Sequence, residues 1–335
     1  MGEVQVLLVD ADSHNGFPNL ALMKLSAWHK NEGHHVDFIK GLPQAPPLFL
    51  YDQSYISCIF FQNREKVLEY AMMLPNCKVG GSGWDLDNEL PEDVEHILPD
   101  YSLYDIDYSM GFTSRGCIRA CGFCVVPEKE GPIRDHSDIS EFHYPDHTKV
   151  ILLDNNFQAS PNWKNNLDYI LEHDLKVNFN QGLDIRLLTK EFAQYLAQVK
   201  YYNWTFKLKG LHFAFDDLRT EQAVRTGIQT LLDAGVSRRA LMFYILVGYN
   251  STFEEDLKRV EILKELGVKP YIMRYNQSKD RRLYHLARYV NRRYFEFIDI
   301  KEYNGGALYD HIASPQDLHA NPPDLQRDTS TKEVI

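Results

Sequence analysis

The sequence predicts an α/β protein in two parts: a small doubly wound α/β unit, then a partial (β/α)6 barrel. Two observations carry this. Short apolar, β-branched runs alternate with segments of helical period, and the alternation is interrupted by the proline- and acid-rich stretch 90–105. Such alternation builds parallel sheets with helices on their faces. A third observation marks where chemistry sits. Three cysteines crowd into a loop behind the first strand of the second series, at the end where α/β barrels keep their catalytic groups.

In the first series, residues 4–10 are almost wholly apolar and end in a carboxylate, the pattern of a buried parallel strand. Residues 20–30 have helical spacing, with Gly33 as the stop. Strands follow at 36–39 and 55–61. A helix over 64–74 ends at Pro75, and 78–81 makes a last short strand. Residues 90–105 then act as a linker, so the first domain spans 1–99.

The second series gives strands at 109–113, 149–153, 176–180, 211–215, 241–247 and 270–273. Helical patterns lie at 161–173, 189–199, 220–234 and 252–266. The barrel domain is therefore 108–294. Residues 295–335 form a C-terminal extension whose polar, proline-containing end, 314–335, is expected to be disordered.

Composition bounds the function. A chain of 335 residues with 44% hydrophobic and 25% charged residues is an ordinary globular protein. Its 36 basic and 47 acidic residues leave a formal charge of −11, which argues against indiscriminate nucleic-acid binding. The N-terminus lacks a signal-peptide layout and no apolar run reaches membrane-spanning length. Five cysteines, an odd number with three of them clustered, do not make a secreted disulfide framework, so a cytoplasmic location without membrane attachment is expected.

The cysteine segment reads Gly116-Cys117-Ile118-Arg119-Ala120-Cys121-Gly122-Phe123-Cys124. Three thiolates on one short loop suit a soft metal centre and fill three corners of a cubic iron–sulfur cluster, leaving the fourth iron open. Two other readings use the same residues. With His136, the cysteines would make a three-cysteine, one-histidine zinc knot and hence a zinc-stabilised binding module. They would otherwise be buried apolar residues.

The run Thr113-Ser114-Arg115-Gly116-Cys117, with Cys121 and Phe123-Cys124, resembles the signature of the radical S-adenosylmethionine (radical SAM) superfamily. The resemblance implies a 4Fe–4S cluster on Cys117, Cys121 and Cys124, with SAM chelated at the unique iron. One-electron reduction then yields methionine and a 5′-deoxyadenosyl radical, which takes hydrogen from a substrate. It also implies an electron donor such as flavodoxin or ferredoxin. Cys58 and Cys77 do not suffice for a second cluster.

The resemblance assigns supporting residues at the strand ends. Phe123 lies by the adenine, or packs in the core. Asp154 and Asn156 face the SAM amino group, or only cap the next turn. Gln181, Asp184 and Arg186 suit ribose hydroxyls and a carboxylate, unless Asp184 and Arg186 pair with each other. Asp216, beside Asp217, ends the fourth strand. Gly248 matches the glycine-containing fifth-strand motif near adenine, and Met273 ends the sixth strand as a substrate or adenine contact.

The first unit resembles a degenerate, flavodoxin-like cobalamin-binding domain. The run Asp12-Ser13-His14-Asn15-Gly16 only imitates the cobalamin motif, with its glycine one residue early, so cobalamin is expected to be unlikely. The segment 279–293 carries Lys279, Arg281, Arg282, Arg288, Arg292 and Arg293 among apolar residues, a basic amphipathic helix. It offers a nucleic-acid surface, or a solvated face paired with local acids. The reading is a radical SAM enzyme acting on a small molecule. The alternatives are a cobalamin-dependent radical SAM methyltransferase and a modifier of nucleic acids or nucleotides.

Overall fold

The computed structural model describes residues 4–12, 16–275 and 278–303. It shows a mixed α/β chain with parallel sheets, in two compact units, Met1–Asn155 and Asn156–Ile335.

The first unit opens with β1 (Gln5–Asp10), α1 (Leu20–Asn31), β2 (His35–Lys40), β3 (Gln53–Ser57), α2 (Arg64–Ala71) and β4 (Cys77–Gly80). The strands form a parallel sheet in the order β2-β1-β3-β4. Alternate residues of β1 feed opposite faces. Val6 and Leu8 cluster with Leu22 and Leu25 of α1, while Leu7 and Val9 cluster with Val67 and Tyr70 of α2. Burial on both faces is why β1 is apolar throughout rather than alternating. Asn19 caps α1, its Oδ1 accepting from Leu22 N at 3.1 Å.

Strand β3 stops at Ser57, short of the expected 55–61, because the Asp12 carboxylate captures the N–H groups of Ile59 and Phe60. Gly81 (φ +102°) lies so close to the residue after β3 that a Cβ there would be 2.5 Å from the Cys58 carbonyl oxygen. The stretch 90–105, expected to be a linker, is ordered. It contains α3 (Glu92–Glu95), whose Val94 joins the Leu22 cluster. Tyr104 donates its hydroxyl to Asp10 at 2.6 Å.

Then β5 (Ser109–Gly111) leads to β6 (Ser114–Arg115), and after α4 (Val126–Lys129) β7 (Arg134–Asp135) returns antiparallel to β6. α5 (Ile139–Phe142) follows, and β8 (Lys149–Leu152) lies parallel to β5. The β6–β7 hairpin has no alternating pattern long enough to be read from sequence.

The second unit contains α6 (Trp163–Glu172), β9 (Lys176–Phe179), α7 (Lys190–Gln198), β10 (Lys200–Tyr201), β11 (Leu211–Ala214) and α8 (Glu221–Asp233). β12 (Leu241–Val247), α9 (Phe253–Glu265), β13 (Lys269–Arg274) and α10 (Arg281–Asn291) complete it. β9 pairs with β10, and β11, β12 and β13 form a parallel sheet in that order. Leu241, Phe243, Ile245 and Val247 of β12 are fully buried, while the residues between them are half-buried. α9 starts in a capping box: Thr252 Oγ1 accepts from Glu255 N and Glu255 Oε2 from Thr252 N.

No helix among the described residues is long and apolar enough to cross a membrane. The expected disordered end, 314–335, lies outside the described residues.

Candidate functional site

The three clustered cysteines occupy the loop that leaves β6 and returns through β7. Its mouth is fixed by side chains that follow β8. Asp154 is 2% exposed, and its carboxylate accepts four hydrogen bonds. Oδ2 takes Thr113 N at 3.2 Å; Oδ1 takes Thr113 Oγ1 at 2.6 Å, Ser114 N at 2.6 Å and Ser114 Oγ at 2.7 Å. Burial pushes this carboxyl up from its ordinary value, and the donors oppose the shift. Asn155 Oδ1 accepts from Gly116 N at 2.9 Å.

Gly116 starts the loop at φ +80°, and a Cβ on it would lie 2.6 Å from the Gly131 carbonyl oxygen and closer still to that of Pro132. Only glycine fits. Cys117 N donates to Gly131 O at 3.2 Å, which draws the two ends together. Arg119 N donates to Cys117 Sγ at 3.3 Å, and Cys124 N to Cys121 O at 3.0 Å. Phe123 is 37% exposed and Ile118 47%, so the tip shows apolar side chains to solvent.

The donor set fits a thiolate-held cluster in atom type and number: three sulfurs on one loop beside a glycine-tight mouth. Among the described residues no three His, Cys, Asp or Glu side chains are gathered closely enough to hold a metal ion. The ring of His136, the fourth ligand of the zinc reading, gives Nε2 to Glu95 Oε1 at 3.0 Å. Cys77 lies in β4 and Cys58 immediately follows β3, and burial pushes both thiols up to about 11.

In the second unit, Asn156 is buried and leads into a 3-10 turn. Gln181 is half-buried and precedes Gly182, which has φ +85°. Asp184 and Arg186 form a two-pronged pair, with Nε to Oδ1 at 2.6 Å and Nη2 to Oδ2 at 2.9 Å. Asp216 and Asp217 part company. Asp216 accepts from Leu246 N at 2.7 Å, and its burial raises its carboxyl above the ordinary value against the charges of Arg259 and Arg186. Asp217 instead pairs with the exposed Arg219 at 2.5 Å. Met273 lies opposite Leu246 in the β12–β13 register. Asp216 and Met273 therefore meet the same residue near the carboxyl end of β12, two positions before Gly248.

Gly248 (φ +81°) packs so that a Cβ would strike Leu283 at 2.7 Å and Ser278 at 2.8 Å. A cavity of about 340 Å³ opens there, lined by Gly248, Tyr249, Ser251, Asp256, Asp280 and Arg282 among others. Beneath it lies Arg259, fully buried and missed by the sequence reading because helical arginines usually face water. It donates to Phe215 O at 2.9 Å, Leu246 O at 3.0 Å and Ser251 Oγ at 3.1 Å, and pairs with Asp256. In the basic segment, Arg282 pairs with Asp280 at 2.6 Å and Arg293 with Glu296 at 2.8 Å.

No protein-family model and no curated protein matches the chain. The fold is similar to the apo, selenomethionine-labelled structure of the cobalamin-dependent S-adenosylmethionine radical enzyme OxsB. The TM-score is 0.48 and the identity 14%, over 76% of this chain and 51% of that one. The chain thus spans about half the length of that structure. It corrects one expectation. The neighbour is described as cobalamin-dependent, so the expectation that cobalamin is unlikely does not stand. The expectation rested on the short span of the first unit and on the run 12–16, of which Ser13 to Asn15 lie outside the described residues.

Proposed function

We propose that this chain is a radical SAM enzyme, with Cys117, Cys121 and Cys124 as the ligands of one 4Fe–4S cluster. The observation that carries the reading is the cysteine loop itself: three thiols on a segment whose mouth is held by Asp154, Asn155 and a glycine-only turn at Gly116. Bound there, the cluster would supply the electron that cleaves SAM to the 5′-deoxyadenosyl radical. The chain's own residues do the rest. Asp154 and Gly116 orient the ligand loop, and the N–H of Arg119 stabilises the Cys117 thiolate. Phe123 offers an exposed ring to a flat adenine. In the second unit, Gln181, Arg186, Asp216, Gly248 and Met273 are the groups we assign to cofactor and substrate. Asp184 serves by holding Arg186.

We assign a small-molecule substrate, because Arg282 and Arg293 of the basic segment are already neutralised by local carboxylates. The electron donor is a flavodoxin or ferredoxin. Anaerobic reconstitution tests the reading. The protein should take up about four iron and four sulfide per chain and cleave SAM slowly with dithionite. Replacing Cys117, Cys121 or Cys124 by Ala should remove both properties. Stoichiometric zinc without SAM cleavage would refute the reading, and adding cobalamin to the same preparation reads whether the chain retains it.

A further inference from the structure

A second charged group serves the cysteine loop from outside it. Glu95 ends α3, inside the stretch that composition reads as a linker. Its Oε1 accepts from three cationic or ring nitrogens: Arg115 Nη2 at 2.7 Å, Lys24 Nζ at 2.9 Å and His136 Nε2 at 3.0 Å. The groups come from four separate places in the chain, and every side chain is at most 17% exposed. Burial alone would raise the Glu95 carboxyl. The His136 hydrogen bond and the charges of Lys24 and Arg115 outweigh burial and hold it well below the usual carboxylate range.

Two of the three partners bracket the cysteine loop. Arg115 is the last residue of β6, two before Cys117, and His136 immediately follows β7. Arg115 is held further by Glu130 at 3.3 Å and by the Phe112 ring 3.7 Å from its guanidinium carbon. One carboxylate oxygen thus clasps the exit and the return of the segment that carries all three ligands. A buried ion cluster is a poor source of net stability, because desolvation offsets most of the attraction. Fixing ligand-bearing backbone is a better account, since groups behind the ligands set how well a metal centre is held.

We propose that Glu95 is a positioning residue for the cluster, closing the mouth of the cysteine loop by holding Arg115 and His136 together. This rests on the radical SAM reading. The test compares Glu95→Gln with Asp100→Asn. Asp100 is another α1-contacting carboxylate, bonded to Lys30 and Ser26 and not to the loop.

In the apoprotein, backbone hydrogen exchange over residues 116–133 should quicken in Glu95→Gln and stay at the wild-type rate in Asp100→Asn. In reconstituted protein, Glu95→Gln should lose iron to a chelator on the order of 10-fold faster, with a changed electron-paramagnetic-resonance spectrum. Glu95→Asp, which keeps the charge, should recover part of the loss. If Glu95→Gln does not fold, His136→Gln removes one arm of the clasp and should shift the same readouts less. Wild-type exchange and iron retention in a folded Glu95→Gln would overturn the proposal, as would equal effects in Asp100→Asn. A wild-type protein that takes no iron, while Glu95→Gln still loosens the loop, would instead sink the cluster reading and the purpose given to the clasp.

Discussion

Replacing Asp154 by alanine separates two roles for this residue. The resemblance assigns it to the SAM amino group; the structure spends its carboxylate on Thr113 and Ser114. In Asp154→Ala the two backbone N–H groups cannot turn away, whereas the two hydroxyls can rotate to other acceptors. A buried donor left unpaired costs about 1–3 kcal/mol. Two of them give about 2–6 kcal/mol. Removing a desolvated carboxylate returns some of this, so we expect a loss of about 2–4 kcal/mol. That is a large share of a typical stability of about 5–15 kcal/mol. Asp154→Asn keeps one acceptor oxygen and should lose about half as much.

The assay is urea unfolding of the apoprotein, set beside calorimetric titration of SAM into reconstituted protein. Asp154→Ala should lower the urea midpoint before any cofactor is present, and weaken iron retention because the loop mouth opens. A variant with the wild-type midpoint and only a weakened affinity for SAM would refute the argument and return Asp154 to the cofactor.

Gly116→Ala should abolish cluster retention at small cost to the rest of the fold. Its Cβ would meet the carbonyls of Gly131 and Pro132, and positive φ adds about 1–2 kcal/mol of strain; iron content beside circular dichroism reads this, and full iron content would contradict it. Acid should act on the Glu95 clasp in one direction only. The folded carboxyl titrates below its unfolded value of about 4.3, so its contribution is fully present above that pH and is lost as pH falls through the folded value. The stability difference between wild type and Glu95→Gln should therefore hold steady from neutral pH to about 5 and shrink below about 4. A difference that grows on acidification would be the wrong sign.

What could be read from sequence is what lies in short windows. The spacing of Cys117, Cys121 and Cys124, the apolar run of β1 and the glycine at 248 are all local. The six expected strands of the second series appear near their assigned places because parallel strands keep a near-continuous apolar pattern. The two-residue strands β6, β7 and β10 carry no period to detect. Glu95 and Arg259 were missed for a different reason. Each is a charged residue at the end or on the flank of a helix, where the default is a solvated face. Only the tertiary fold brings Lys24, Arg115 and His136 to Glu95, or the carbonyls of Phe215 and Leu246 to Arg259. The Asp184–Arg186 pair was among the readings of that motif, because residues two apart at a turn reach each other without tertiary help.

Around the cysteine loop the usual placement of polar and apolar groups is inverted. Asp154 is buried with four donors, and Glu95 is nearly buried with three, while Ile118 and Phe123 at the tip face solvent. Folding alone gains little from either choice: desolvating carboxylates costs energy, and exposing large apolar side chains forgoes it. Both choices gain something if the loop must hold ligands still at its base and meet an apolar-faced molecule at its tip. Departures from the general rule that gather at one loop mark a functional site more strongly than a motif does. The motif picks out the three thiols. The buried acids behind it, which no spacing rule would select, explain why the base of that loop is held in place.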